Sequence, residues 1–282
     1  MALEHRQMHL ETLAYMFHNF RSELKQGPAD AHFMPQPSSK HENEWRGIPA
    51  GEAVLGKPDD GTFGWDNEYK EVRRKVPEFR IQRYNVTNGE YMQFVEEGAP
   101  MPHFWVKRGN RINYRGMFEE FPLPLDWPVY VTKIEAETYA KWAGKSLPSE
   151  EQFHRAAYGS PSEEPRLFPW GAARPTPEHG NFDFKRWDAE NVYATPAGDS
   201  AFGVSQLVGN GWEWTRTVFG PFPGFQARES YPGYSANFFD GDHYVMKGGS
   251  ARTAARLLRR SFRNWFRPDY PYLYATFRCV EN

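Results

Sequence analysis

The sequence predicts an α+β domain, loop-rich, with one separate helix in front of it. Three observations predict this. Three internal helix starts carry the same reciprocal capping signal. The strand signals are short and scattered. The chain between them is filled by 24 Gly, 23 Pro and 17% aromatic residues, a mix that suits a compact domain of irregular chain better than a helical bundle.

Taken in order, residues near 3–25 read as one helix. Leu3, Leu10, Leu13, Ala14, Phe17 and Phe20 recur at spacings that suit a helical face, and Gly27-Pro28 ends it. A polar stretch with Pro35, Pro37, Ser38 and Ser39 runs to about Arg46 and reads as a linker or wrapping arm. The capped helices follow. Thr87 with Glu90 opens one, which Gly98 closes. Thr132 with Glu135 opens a second, running to Gly144. Ser149 with Gln152 opens a third, preceded by Pro148 and ended near Gly159. In each, the hydroxyl accepts from an orphan backbone N–H and the acid or amide reaches back to the cap. Strand signals fall at Glu78–Arg83, Val129–Val131, Tyr244–Lys247 and Ala275–Val280.

At 282 residues and a net charge of −2, the chain holds one large domain or two modest ones. The charge gives no case for a nucleic-acid partner. Arg252, Arg256, Arg259, Arg260, Arg263 and Arg267 cluster late, among apolar residues, and read as a solvated strand face or an anion pocket. Cys279 is the single cysteine, so no intrachain disulfide forms. That fits a cytoplasmic protein. No signal-peptide pattern opens the sequence, no apolar run reaches transmembrane length, and no membrane role is expected. The sequon Asn85-Val86-Thr87 reads as chance.

The chemistry begins at the N-terminus. His5 and His9 are four residues apart, so both imidazoles share one helix face and can hold one metal ion. Two ligands are too few for a tight catalytic site. His18, His32 and His41 are the nearby histidines that a third would come from. His154 and His243 read as surface or packing residues. No Ser-His-Asp arrangement, CxxC pair or phosphate cradle stands out, and Gly248-Gly249 lacks the helix start that a cradle needs.

Six stretches in order resemble the formylglycine-generating-enzyme-like domain, a variant of the C-type lectin fold. They are Val86–Val95, Ala140–Glu150, Phe168–Gly171, Val208–Thr215, Lys247–Ser250 and Phe277–Cys279. The opening run from Glu4 to Thr12 is similar to the last metal-binding helix of the DinB-like domain in ergothioneine-type sulfoxide synthases. Tyr231–Gly241 and Ser261–Trp265 resemble the same subfamily. The resemblance implies two parts: residues 1–46, a DinB-like helix left from a bundle, with its arm, and 47–282, the formylglycine-generating-enzyme-like body.

It also implies an activity: a non-haem Fe(II), O2-dependent synthase that joins a thiol amino acid to a histidine-derived imidazole such as trimethylhistidine, then oxidises the sulfur. His5 and His9 would be iron ligands. A third histidine would come from an earlier helix, or from a partner chain. Tyr231 would give a proton or electron to the oxygen chemistry. Tyr234 and Trp265 would hold the trimethylammonium group and Asn264 the imidazole. Members that use γ-glutamylcysteine carry an aspartate where this chain has Phe266, which favours free cysteine. Asn181, Asp188, Asn210 and Glu213 resemble a structural Ca2+ site. One cysteine cannot build the dithiolate copper site of a formylglycine-generating oxidase, so Cys279 is expected to be an inert buried thiol. The alternative is an inactive C-type-lectin-like binding module with a pocket around Trp212, Tyr231, Tyr234 and Trp265, or a vestigial homologue.

Overall fold

The computed structural model describes residues 1–28 and 42–281. The proline-rich arm, with His32 and His41, lies outside the described residues. In chain order the elements are α1 (Ala2–His18), β1 (Trp45–Ile48), β2 (Gly51–Leu55), β3 (Val72–Val76), β4 (Phe79–Gln82) and α2 (Asn88–Glu96). Then come β5 (Trp105–Arg108), β6 (Arg111–Arg115), β7 (Glu120–Pro122), α3 (Lys133–Trp142) and α4 (Glu150–Tyr158). The last are β8 (Gly211–Val218), β9 (Tyr244–Gly249), β10 (Asn264–Phe266), β11 (Ala275–Thr276) and β12 (Val280–Glu281). The architecture is α+β and loop-rich, as the sequence predicts.

All three capping boxes form. Thr87, Thr132 and Ser149 accept from the backbone N–H three residues on, and Glu90, Glu135 and Gln152 answer. The main sheet runs β10-β9-β8-β11, with β8 parallel to β11 and antiparallel to β9. A second sheet, β1-β4-β12, ties the front of the body to the end of the chain. The larger core packs α2 and α3 against the main sheet through Tyr91, Phe94, Tyr139, Trp214 and Phe277.

Three readings need correction. Val129–Val131 is extended but builds no ladder: Val129 N–H bonds the Val86 carbonyl and Val131 N–H the Ala275 carbonyl, on two different segments. Helix α1 stops at His18, because the Asn19 amide donates to the Tyr15 carbonyl and the Lys25 ammonium to the His18 carbonyl, taking up exposed C-terminal acceptors. The arginine cluster is neither a strand face nor an anion pocket. Arg259 pairs with Glu4 and Glu68, Arg260 with Glu71, and Arg263 with Glu150, while Arg252 is fully buried.

The face that α1 buries is the unexpected one. Leu3, Leu10, Leu13 and Phe20 are 54%, 52%, 57% and 58% exposed, while Glu4, Ala14, Tyr15 and His18 are buried. Polar anchors hold the helix. Glu4 bonds Arg259 at 2.9 and 3.0 Å and Trp65 Nε1–H at 3.1 Å. The His18 imidazole joins the Tyr274 hydroxyl and the Arg115 carbonyl, each at 3.0 Å.

Candidate functional site

The site forms where α1 meets the loops that flank the main sheet. One helical turn sets His9 Nε2 3.2 Å from His5 Nε2. Metal–nitrogen bonds of about 2.0–2.1 Å at tetrahedral to octahedral angles separate two such ligands by roughly 3.0–3.4 Å. The pair therefore fits two positions on one metal ion. Burial, and then the His9 charge, lower the affinity of His5 for a proton, which favours the ligating form. Among the described residues no group of three His, Cys, Asp or Glu side chains gathers around a common point. His18 is no third ligand, since both its ring nitrogens are engaged and it is buried beneath Tyr274.

Carboxylates on both sides fix the pair. Glu4 precedes His5 and binds Arg259. Glu11 follows His9 and accepts from Trp212 Nε1–H at 2.8 Å, the Ser250 hydroxyl at 2.5 Å and the Thr253 hydroxyl at 2.8 Å. Burial raises the Glu11 pKa, against the pull of these donors. Ser250 reaches Glu11 because β9 ends in Gly248 and Gly249, at φ +93° and +150°; a side chain on Gly248 would strike the Leu207 carbonyl.

Tyr231, Tyr234 and Trp265 come together beside His5. The Tyr231 ring lies 5.5 Å from His5 and 5.7 Å from Tyr234, which meets Trp265 edge-on at 5.3 Å. Tyr231 is 37% exposed, while Tyr234 is buried. Trp265 is backed by Phe219, stacked at 4.2 Å. Asn264 is on the other side of β10. With Phe266 it lines a cavity of about 80 Å³ that also touches Met8, Glu11, Tyr15 and Trp212. Its Oδ1 accepts from the Trp265 backbone N–H at 2.9 Å. Phe266 packs with Tyr270 and Tyr15 in an aromatic wall. Trp212 thus belongs to the cavity, apart from the tyrosine cage.

The sequence reading misses Trp65. Its ring stacks on Tyr234 at 3.9 Å and lies 6.3 Å from His5. It comes from an irregular loop with no period to mark it, and only the acid-rich run Asp66-Asn67-Glu68 behind it is a local signal.

The four residues read as a Ca2+ site do not make a cation cage. Glu213 gives both oxygens to Arg278, at 2.7 and 2.8 Å. The Asn210 amide is spent on Glu190, Gln206 and Asn181, and Asp188 Oδ1 accepts from the Met117 N–H. The Asn181 Oδ1 atom alone of these lacks a partner. Cys279 is buried and its thiol is pushed up to about 12 by that burial, so it is unreactive. His154 is a packing residue, bonded to the Val54 carbonyl, and His243 bonds Asp240. No helix among the described residues is long and apolar enough to cross a membrane.

Residues 30–282 match the sulfatase-modifying factor enzyme 1-like domain. The chain is 37% identical over 238 residues to the hercynine oxygenase of Mycobacterium tuberculosis, covering 77% of this chain and 55% of that protein. It is 28% identical to ergothioneine biosynthesis protein 1 of Schizosaccharomyces pombe, over 99% of this chain and 39% of that one. The chain spans about half the length of the curated relatives it matches. In structure it is similar to PvdO from Pseudomonas aeruginosa, with a TM-score of 0.60 and 23% identity over 84% of this chain and 93% of that one.

Proposed function

Because the chain belongs to the sulfatase-modifying factor enzyme 1-like family, we propose that it forms the substrate-binding body, and two of the iron ligands, of an oxygenase that acts on a histidine-derived betaine. The observation that carries the reading is the pair of imidazole nitrogens 3.2 Å apart, facing Tyr231 and its aromatic neighbours. The relatives named for hercynine and ergothioneine support the substrate class.

His5 and His9 would hold Fe(II), whose chemistry when bound couples dioxygen to C–S bond formation and sulfur oxidation. The chain's own residues do the rest. Tyr234 and Trp265 offer ring faces to a trimethylammonium group. Tyr231 presents its phenol ring beside His5. Asn264, on the opposite face of β10 from Trp265, offers its amide to a ring nitrogen only of a ligand that enters the cavity beside Glu11. Phe266 gives a thiol donor's amino group no acceptor, which favours cysteine over a longer peptide thiol.

The third ligand is proposed to come from a helical segment of a partner chain, packed on the exposed stripe of Leu3, Leu10 and Leu13. A second reading, a betaine-binding module without turnover, is favoured by the gathering of Tyr231, Tyr234 and Trp265 in one aromatic cluster.

The test is anaerobic titration with Fe(II), comparing the wild type with a His5→Ala, His9→Ala double variant. Trimethylhistidine, cysteine and oxygen are then added. Iron binding by the wild type alone, and a sulfoxide product, are expected. Equal iron binding by both proteins overturns the iron reading. Betaine binding without product leaves the module.

A further inference from the structure

A second cavity lies between the loop that follows β2 and the segment that leads to Tyr231. It holds about 450 Å³ and is lined by Asp59, Gly61, Thr62, Phe63, Tyr69 and Arg228, a size in the range of small-molecule sites. Its two rings are fixed in place. The Tyr69 hydroxyl donates to the Thr62 carbonyl at 2.9 Å, and the Lys57 ammonium lies over the ring at 4.7 Å. Phe63 packs edge-on against Trp65 at 5.4 Å, with the Arg228 guanidinium over it at 5.2 Å. Gly64 lets these parts close up, because a side chain there would strike Lys57 and Tyr69. Lys57 is paired with Asp60 at 2.8 Å, and Asp60 also accepts from Thr62. Arg228 and Asp59 are different. They line the same cavity, yet neither has an ion pair among the described residues, with the other or with any third group. Arg228 Nη2–H donates to the Gly64 carbonyl at 2.6 Å, and its Nε–H is buried with no acceptor.

A guanidinium and a carboxylate that share a cavity without meeting leave two opposite charges for one ligand to bridge. The guanidinium fork matches a carboxylate. The exposed Asp59 carboxylate accepts from an ammonium and repels phosphate and other multiply charged anions. Phe63 and Tyr69 offer apolar walls. We propose that this cavity binds a free α-amino acid as its zwitterion, with the carboxylate on Arg228, the ammonium on Asp59 and an apolar side chain against Phe63 and Tyr69. The inference goes beyond the oxygenase reading and does not rest on it, since no histidine lines the cavity. The two sites share only a turn, in which the Arg228 carbonyl accepts from the Tyr231 N–H at 2.9 Å.

Calorimetry on the metal-free protein tests it with L-leucine and two analogues: 4-methylpentanoate, which lacks the ammonium, and leucinamide, which lacks the carboxylate. L-leucine is expected to bind the wild type at least about tenfold more tightly than either, because each analogue loses one charge-assisted contact. Arg228→Gln is expected to weaken L-leucine and 4-methylpentanoate about tenfold and leave leucinamide unchanged. Asp59→Asn is expected to weaken L-leucine and leucinamide by a similar factor and leave 4-methylpentanoate unchanged. No L-leucine binding by the wild type, or binding no tighter than that of 4-methylpentanoate, overturns the proposal without any variant. So does inorganic phosphate that displaces L-leucine at equal concentration, which marks a plain anion pocket. Either variant binding L-leucine as the wild type does overturns it as well. If a variant fails to fold, the comparison of the three probes on the wild type decides.

Discussion

Glu11 is the residue on which the metal face most depends. It is two positions past His9 and takes three donors from two places in the body, Trp212 on β8 and the Ser250–Thr253 turn after β9. Glu11→Ala would leave the Trp212 N–H and two hydroxyls buried with no acceptor. A loss of about 2–4 kcal/mol is expected, read by denaturant melts, together with weaker Fe(II) binding. Glu11→Gln, which keeps one acceptor, should cost less. A neutral result for Glu11→Ala would mean that α1 is held by its two ends alone. A similar argument applies to the Arg278–Glu213 pair, 0% and 1% exposed. Arg278→Met strands a carboxylate that cannot reach water, and a cost of about 3–5 kcal/mol is expected. An unchanged melt would imply that another cation, such as Ca2+, holds Glu213.

At the scale of elements, the sequence was most readable where the signal is local. The three capping boxes need only four residues each, and all three form. The i, i+4 histidines could be read in the same way. Short strands such as β5, β6 and β7 could not, because their pairing is decided by partners elsewhere in the chain. The cage was half legible: Tyr231, Tyr234 and Trp265 come from stretches whose resemblance was read in the sequence, whereas Trp65 comes from an irregular loop with no periodicity to single it out. Helix α1 is the instructive failure. Periodicity marks an apolar face of which Ala14 is buried while Leu3, Leu10, Leu13 and Phe20 are exposed; Glu4, Tyr15 and His18 make up the rest of the buried side, where the carboxylate and the imidazole meet matched partners.

The stability of the fold, including the docking of α1 through His18, is sensitive to pH. Burial holds His18 and His154 neutral, with folded pKa values well below the usual 6.5. The unfolded chain therefore binds protons first. Stability from these residues is present above about pH 6.5 and is lost as the pH falls below it, by about 1.4 kcal/mol per pH unit for each. Urea melts at pH 7.5 and 5.5 should show this slope, and His18→Gln should reduce it by the His18 share. A wild type equally stable at both values would contradict the buried neutral pair.

For the whole molecule, the stripe on α1 decides whether the protein is self-sufficient. A helix lying against a folded body should turn its leucines inward. Here Leu10 and Leu13 face out, more than half exposed, on the helix that carries both metal ligands. If they belong to an interface, they add little to the fold of this chain. Leu10→Ser with Leu13→Ser is then expected to move the unfolding free energy by no more than about 0.5 kcal/mol per site. It should lower the binding of an apolar-surface dye and leave the Fe(II) affinity of the isolated chain unchanged, since neither leucine carries a ligand atom. A fall of about 2 kcal/mol or more per leucine would instead mark the stripe as core. The helix would then have to sit the other way round in solution, carrying Glu4 and Glu11 away from Arg259 and Trp212, and the histidine pair away from Tyr231.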